Sequence, residues 1–159
     1  SFVQGPVFYR EDISDNYLDL EQQLADLGAE SFEEFFDLIE AKSTFISQNN
    51  ELATYASKIE KQETRIDWKE DAEKIVRRIN AYHPNPGAWF MFDKKRVKII
   101  RAEVTNTSGD PGKIVNKKFD ISCGSKSIRP LVLKVEGKQA CVVEDFLLGN
   151  KVNAGDFIE

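Results

Sequence analysis

Short apolar runs separated by turn-forming residues occupy positions 88–136, and this pattern constrains the fold more than any other feature of the sequence. Alternation of apolar and polar residues is typical of a strand with one buried face. The predicted strands are 88–92, 96–104, 113–116, 119–123 and 128–135. In the second strand the alternation changes phase near Ile99 and Ile100, which indicates a β-bulge. Five short strands at this spacing predict a small closed barrel of the OB type.

Apolar residues at helical spacing predict two helices before the strands. The first covers 17–41 and has a strongly acidic outer face; it contains Gly28, which either divides the helix in two or marks a site of close packing. The second covers 67–82, with Asp67 and Glu70 spaced as a capping box and prolines after its last turn. The predicted fold class is therefore α+β, a helical part followed by a β-barrel domain.

The remaining segments are predicted from local composition. The apolar run Val7-Phe8-Tyr9 after a Gly-Pro pair predicts a strand. Residues 43–64 have no clear period and are too long for an ordinary loop inside one domain, so they predict an interdomain linker. Near the C-terminus, 144–148 predict one helical turn and 149–159 a tail that packs back.

Charge is distributed unevenly along the chain. Residues 1–92 contain 9 Lys and Arg against 18 Asp and Glu, whereas residues 93–138 contain 12 against 5. This basic stretch suggests a polyanionic partner, because Lys and Arg supply most of the affinity for nucleic-acid phosphates. An ordinary solvated surface explains the same composition, and both interpretations stay open. The candidate phosphate contacts are Lys94, Lys95, Arg96, Lys98, Arg101, Lys113, Lys117, Lys118, Lys126 and Arg129.

Aromatic residues lie beside the basic cluster, at Trp89, Phe90 and Phe92. Such rings can stack on the bases of a single strand. Core packing is the more common role for aromatic residues on a strand, and it is favoured here.

The sequence contains no convincing self-contained active site, so no catalytic residue is predicted. His83 is placed to end a helix, and Cys123 and Cys141 are expected to be packed thiols. With one histidine and two cysteines, the chain has too few ligands for a zinc site built from several histidines or from cysteines alone. The segment Gly109-Asp110-Pro111-Gly112-Lys113 lacks the frame of a phosphate-binding loop. No apolar run reaches the ~18 residues of a membrane span, and the first residues lack signal-peptide features, so a cytoplasmic protein without a membrane partner is expected.

Several segments, in order along the chain, resemble the methionyl-tRNA formyltransferase family. The most specific are Arg65-Ile66-Asp67-Trp68 and the run 78–89, Arg-Ile-Asn-Ala-Tyr-His-Pro-Asn-Pro-Gly-Ala-Trp. The segments 24–29, 52–59, 111–114, 137–140 and 144–149 resemble the end of the family's catalytic domain, its linker and its barrel. The resemblance implies three regions: 1–42 as the C-terminal remnant of a Rossmann-like catalytic domain, 43–64 as linker, and 65–159 as an OB-like C-terminal domain.

The resemblance also implies a function. The family transfers a formyl group from 10-formyltetrahydrofolate to the methionyl amino group of initiator tRNA, using an asparagine, a histidine and an aspartate. The first two would precede this chain, and Val3 stands at the aspartate position. The chain is therefore expected to bind no cofactor, to be inactive alone, and to supply tRNA binding. A remnant such as 1–42 would expose apolar surface, which suggests self-association.

Two alternatives stay open. One is the C-terminal half of another 10-formyltetrahydrofolate-dependent formyltransferase or hydrolase, with a different formyl acceptor. The other is a non-enzymatic OB-like module that binds nucleic acid.

Overall fold

The computed structural model describes residues 16–41, 47 and 49–158. These residues belong to two compact units, of which one includes Leu18–Lys58 and the other includes Ile59–Glu159. Each unit is described by itself below. The predicted strand at Val7-Phe8-Tyr9 and part of the predicted linker lie outside the described residues.

The first unit is helical. Two helices, α1 (Tyr17–Glu30) and α2 (Phe32–Glu40), replace the single predicted helix, and a short 3-10 helix follows at Asn50–Leu52. The division lies at Ser31 and not at Gly28; the Ser31 hydroxyl donates to the Leu27 carbonyl at 2.8 Å, and such back-bonding bends helices.

The second unit combines two helices with a five-stranded sheet. Its helices are α3 (Ala72–Tyr82) and α4 (Val143–Gly149), and the latter confirms the predicted turn at 144–148. Its strands are β1 (Trp89–Phe92), β2 (Lys95–Thr105), β3 (Ile121–Ser122), β4 (Ser127–Val135) and β5 (Ala140–Val142).

The sheet is antiparallel and open, so the predicted closed barrel is wrong for the described strands. The order is β1-β2-β4-β3, and β5 also pairs with β4. The predicted strand 113–116 forms only two isolated bridges, Lys113 with Phe157 and Ile114 with Ile121. These residues lack a continuous partner strand, because the Ile114 amide donates to Asp156 near the C-terminus.

The predicted β-bulge in β2 is confirmed. The pairing of β2 with β4 shifts register between Ile99 and Arg101 and again between Arg101 and Ala102. Val97 and Ile99 are buried before the shift, and Ala102 and Val104 pack against the core after it. A change of phase lets both halves of this long strand turn their apolar residues to the same core.

Helix α3 covers the inner face of the sheet, and its predicted apolar stripe is buried at Ala72, Ile75, Val76 and Ile79. The helix begins at Ala72 and not at 67, so the predicted capping box does not form. The preceding backbone is bound elsewhere: the Gly124 amide donates to the Glu70 carbonyl at 2.9 Å, and the Ala72 amide donates to Ser125 at 3.2 Å.

The C-terminal residues pack back onto this unit, as predicted. Ile158 is buried, and its amide donates to the Gly112 carbonyl at 2.8 Å. Within the described ranges, no helix combines the length and apolar character required to cross a bilayer.

Candidate nucleic-acid interface

Three of the ten predicted phosphate contacts are paired with acidic side chains. Lys126 donates to Glu73 at 2.8 Å, and Lys113 lies 3.5 Å from Asp110. The hydrogen bond from Lys126 lowers the pKa of Glu73. The third, Arg129, is the most strongly engaged of the three, and its contacts form a network of their own.

Arg129 is bound to a carboxylate that is fully buried. Its Nε and Nη2 atoms donate to the two oxygens of Asp120 at 2.6 and 3.0 Å, and Nη1 donates to Glu103 at 3.1 Å. Asn116 and Thr107 also donate to Asp120, at 2.8 and 3.2 Å. Burial acts to raise the pKa of Asp120, but these hydrogen bonds outweigh it and lower the pKa. Arg129 therefore fixes the loop before β3 to β4.

The other seven predicted cations have no ion pair within 4.0 Å among the described residues. They lie in three places: Lys94 in the β1–β2 turn, Lys95, Arg96, Lys98 and Arg101 on β2, and Lys117 and Lys118 in the loop before β3.

Two of these cations share the outward face of the sheet with further residues. Lys98 is directly opposite Trp89 on β1 and opposite Lys134 on β4. Directly opposite residues point to the same face of a sheet. The neighbours of Lys98 in sequence, Val97 and Ile99, are each 1% exposed on the core side. Arg96, two residues before Lys98, therefore lies on the outward face as well.

Trp89 is the centre of this face. The guanidinium carbons of Arg96 and Arg65 lie over its ring, 4.3 and 5.7 Å from the centroid. Its indole N–H donates to the Lys61 carbonyl at 3.2 Å, which orients the ring. We call Arg65, Trp89, Arg96, Lys98 and Lys134 the sheet-face cluster.

The neighbouring aromatic residues belong to the core, as favoured from the sequence. Phe90 is 0% exposed, and Phe92 packs against Phe119 and Phe146 with centroid distances of 6.5 and 5.4 Å. The role expected for Trp89 is corrected: it stands on the opposite face of β1.

Two members of the sheet-face cluster were absent from the sequence-based set. Lys134 could have been found, because it alternates with the buried residues Leu133 and Val135. Arg65 could not, because an isolated parallel bridge between Arg65 and Trp89 brings it to β1 across 24 positions of sequence.

The concave surfaces of the β unit are lined by mixed charges. A shallow depression of about 210 Å³ borders the sheet-face cluster and is lined by Arg96, Lys98, Lys134 and Glu136 among others. A larger open cleft of about 860 Å³ lies between the β1–β2 turn and the residues after α4; it is lined by Lys94 and Lys151 but also by Asp93 and Asp156. The basic character is therefore more uniform at the sheet face than in the cleft.

The described residues contain no group of three or more His, Cys, Asp or Glu side chains arranged to hold a metal ion. Cys123 is 3% exposed, and burial raises the pKa of its thiol to about 12, which makes it a packed thiol as predicted.

The second unit therefore belongs to the α+β class. It has an open antiparallel sheet, one helix that covers it and a C-terminal tail that packs back onto it. The family described as formyl transferase, C-terminal domain, matches residues 58–151. The chain belongs to this family.

Curated relatives agree with this assignment. The chain is 40% identical over 160 residues to the methionyl-tRNA formyltransferase of Pelagibacter ubique, covering 97% of the chain and 52% of the relative. It is 41% identical over 136 residues to that of Rhodopseudomonas palustris, covering 82% and 44%. The chain thus spans about half the length of the curated relatives it matches.

Solved structures share the fold. A substituted variant of HypX from Aquifex aeolicus matches with a TM-score of 0.59 and 17% identity, covering 94% of this chain and 31% of HypX. A HypX complex with tetrahydrofolic acid matches with a TM-score of 0.55 and 18% identity, over 84% of this chain and 26% of HypX. At this level of identity the likeness concerns the fold alone.

Proposed function

We propose that this chain is part of a methionyl-tRNA formyltransferase. That enzyme transfers a formyl group from 10-formyltetrahydrofolate to the methionyl amino group of initiator tRNA, in the cytoplasm. In this proposal the residues described here supply tRNA binding, and the catalytic asparagine and histidine belong to another part of the enzyme. The proposal keeps the three regions expected from the sequence: 1–42 as the end of the catalytic domain, 43–64 as linker and 65–159 as the C-terminal domain, now with an open sheet in place of the closed barrel.

One observation supports a binding role above all. Seven of the ten predicted cations have no acidic partner within 4.0 Å among the described residues, although the whole chain has a net charge of −5. Exposed cations without partners are available to phosphates and release counterions when they bind. Arg129 is the least suited of the ten, because Asp120 and Glu103 already occupy its donors.

A salt titration of tRNA binding tests this proposal. The chain is titrated into fluorescently labelled tRNA at several salt concentrations, and the logarithm of the association constant should fall linearly with the logarithm of salt. Binding that is unchanged between low and high salt would contradict a phosphate-dominated interface.

A second candidate keeps the chemistry and changes the acceptor, as in another 10-formyltetrahydrofolate-dependent formyltransferase or hydrolase. This candidate is supported by the fold shared with HypX, which has been solved in complex with tetrahydrofolic acid. Formyl transfer by the full-length enzyme to methionyl-tRNA, with hydrolysis of the folate measured in parallel, decides between the two.

Self-association is a further part of the proposal for the first unit. Helix α2 presents Phe32, Phe35, Phe36 and Ile39 along one side, each between 37% and 57% exposed. Light scattering that gives a monomer across a wide concentration range would contradict it.

A further inference from the structure

We propose that the sheet-face cluster binds successive phosphates of an RNA backbone, and that Trp89 is a positioning residue that holds Arg96 and Arg65 for this contact. The inference rests on the proposed function and makes it specific, since it names the surface and the part of the RNA that is recognised. It also assigns Trp89 a role other than base stacking.

The arrangement of the lysines is unfavourable without an anion. Lys98 and Lys134 are directly opposite in the β2–β4 ladder, and like charges at such positions destabilise a sheet. The register gives Lys98 an aromatic neighbour, Trp89, on its other side and no carboxylate. Glu136 borders the same depression, but no ion pair joins it to Arg96, Lys98 or Lys134 within 4.0 Å in the part of the chain that the structure describes. A phosphate between the two lysines would relieve this repulsion.

The side chain of Lys98 is guided by the backbone beneath it. Gly87 has φ of +81°, and a Cβ built there would lie 2.9 Å from the Cδ atom of Lys98. The alkyl part of Lys98 therefore lies against the Gly87 backbone, where any other residue would displace it. This contact limits the positions that the ammonium group reaches above the sheet.

Trp89 holds the arginines by stacking. The Nε atom of Arg96 is buried and has no hydrogen-bond partner among the described residues. The stack on Trp89, at 4.3 Å, is therefore the contact that orients its guanidinium group. Trp89 is itself fixed, because its amide donates to Thr64 at 2.9 Å and its carbonyl accepts from Ile66 at 2.8 Å. A ring that already carries two guanidinium groups is poorly available to a nucleobase.

The cluster fits an extended polyanion better than a single phosphate. Its four cations come from β2, β4 and the segment before α3, so they span neighbouring strands about 4.8 Å apart and positions two residues apart on β2. Arginine and lysine in such a row match the regular charges of a nucleic-acid backbone. An acidic peptide carries the same sign of charge, and it enters the test below as a competitor.

The experiment compares variants of the whole chain in a fluorescence assay with labelled tRNA. K98Q/K134Q and R96Q remove charges from the cluster, and W89L removes the ring while keeping every charge. K69Q/K74Q is the control, because it removes two exposed lysine charges of the same unit that lie outside the sheet-face cluster; Lys74 is paired with Glu70 at 2.7 Å. Unlabelled polyuridylate, inorganic polyphosphate and polyglutamate are used as competitors.

K98Q/K134Q is expected to weaken tRNA binding about tenfold and to reduce the slope of log affinity against log salt by about 1.5. It is also expected to raise the thermal stability of the chain, because it removes two like charges from one ladder position. A merely structural role for these lysines predicts the opposite change in stability. K69Q/K74Q is expected to leave the affinity for tRNA within about twofold of the starting value.

W89L tests the positioning role. It is expected to weaken the binding of polyphosphate, which has no bases, as much as the binding of polyuridylate. W89L is expected to weaken tRNA binding less in the R96Q background than in the original chain, because part of its effect acts through Arg96 and the rest through Arg65. If W89L unfolds the chain, W89F replaces it as the test of the ring, and K98Q/K134Q remains the test of the charges.

Four outcomes would overturn the inference. Loss of affinity for polyuridylate but not polyphosphate in W89L would make Trp89 a base-stacking residue. Competition by polyglutamate as strong as by polyuridylate would assign the surface to an acidic protein. Unchanged tRNA binding in K98Q/K134Q and R96Q would place the RNA elsewhere and leave the proposed function intact, whereas no tRNA binding by the unmodified chain would remove both.

Discussion

Arg129 donates hydrogen bonds to both carboxylate oxygens of Asp120, from Nε to Oδ1 at 2.6 Å and from Nη2 to Oδ2 at 3.0 Å. Asp120 is 0% exposed, so this pair joins a buried anion in the loop before β3 to a cation on β4. Breaking a buried pair by removing one partner leaves the other without compensation. The pair therefore serves the architecture of the β unit, although the basic partner was a candidate for phosphate binding.

Asp120→Ala is expected to lower the free energy of unfolding by about 3 kcal/mol, at the lower end of the range for buried pairs because the side chain of Arg129 is partly exposed. Urea denaturation followed by circular dichroism measures this loss. Glu103→Gln is the matched control, because it removes the exposed partner of the same guanidinium group and should cost less than about 1 kcal/mol. Equal losses for the two variants would show that burial of Asp120 is energetically unimportant.

The Arg129–Asp120 pair also predicts that the stability of the chain depends on pH in the acid range. The pKa of Asp120 is lowered in the folded chain, so the unfolded chain binds its proton first as pH falls. The stabilisation is therefore complete above the unfolded value, about 3.9, and is lost as pH falls through the folded pKa. The difference in unfolding free energy between the original chain and Asp120→Asn should stay constant from neutral pH down to about 4 and shrink as pH falls further. A difference that stays constant below pH of about 4 would contradict the lowered pKa.

Gly124→Ala is expected to destabilise the β unit by about 3 kcal/mol, the upper end of the cost of overpacking, because a Cβ there would lie 2.1 Å from the Lys69 carbonyl oxygen. That oxygen belongs to the backbone and cannot rotate away. Gly149→Ala is the control, since nothing lies within 4 Å of its Cβ position. Thermal denaturation compares the two; similar melting temperatures would mean that the segment before α3 moves freely.

The two cysteines are expected to react at different rates. The pKa of the Cys123 thiol is raised to about 12 by burial, whereas Cys141 is only half-buried. Thiolates are the reactive form, so an aromatic disulfide reagent at mildly alkaline pH should modify Cys141 first and Cys123 only on unfolding. Cys141→Ser should then show no rapid phase. A rapid phase that persists in Cys141→Ser would contradict the burial of Cys123.

Local patterns were sufficient for much of the β unit. The stripe of α3, the strands at Trp89–Phe92, Lys95–Thr105 and Ser127–Val135, and the bulge after Ile99 were all predicted. Each follows from the spacing of apolar residues, which a single buried face imposes on neighbouring positions. The short strand Ala140–Val142 was missed, because three residues contain too little alternation to be recognised.

The start of α3 and the candidate interface depended on distant residues. Asp67 and Glu70 suit a helix start, yet Gly124 and Ser125 bind the backbone there and delay the helix to Ala72. Likewise, the sequence cannot distinguish Arg129, which is bound to Asp120, from Lys98, which has no acidic partner among the described residues.

The sequence by itself therefore determined the family, the α+β class and the two faces of each long strand, because these depend on residue order and on the period of burial along one element. Only the tertiary structure decided that the sheet is open, which cations are neutralised, and that Arg65 joins Trp89 and Arg96. These features depend on pairs of residues that are distant along the chain, and such pairs form only when the elements pack.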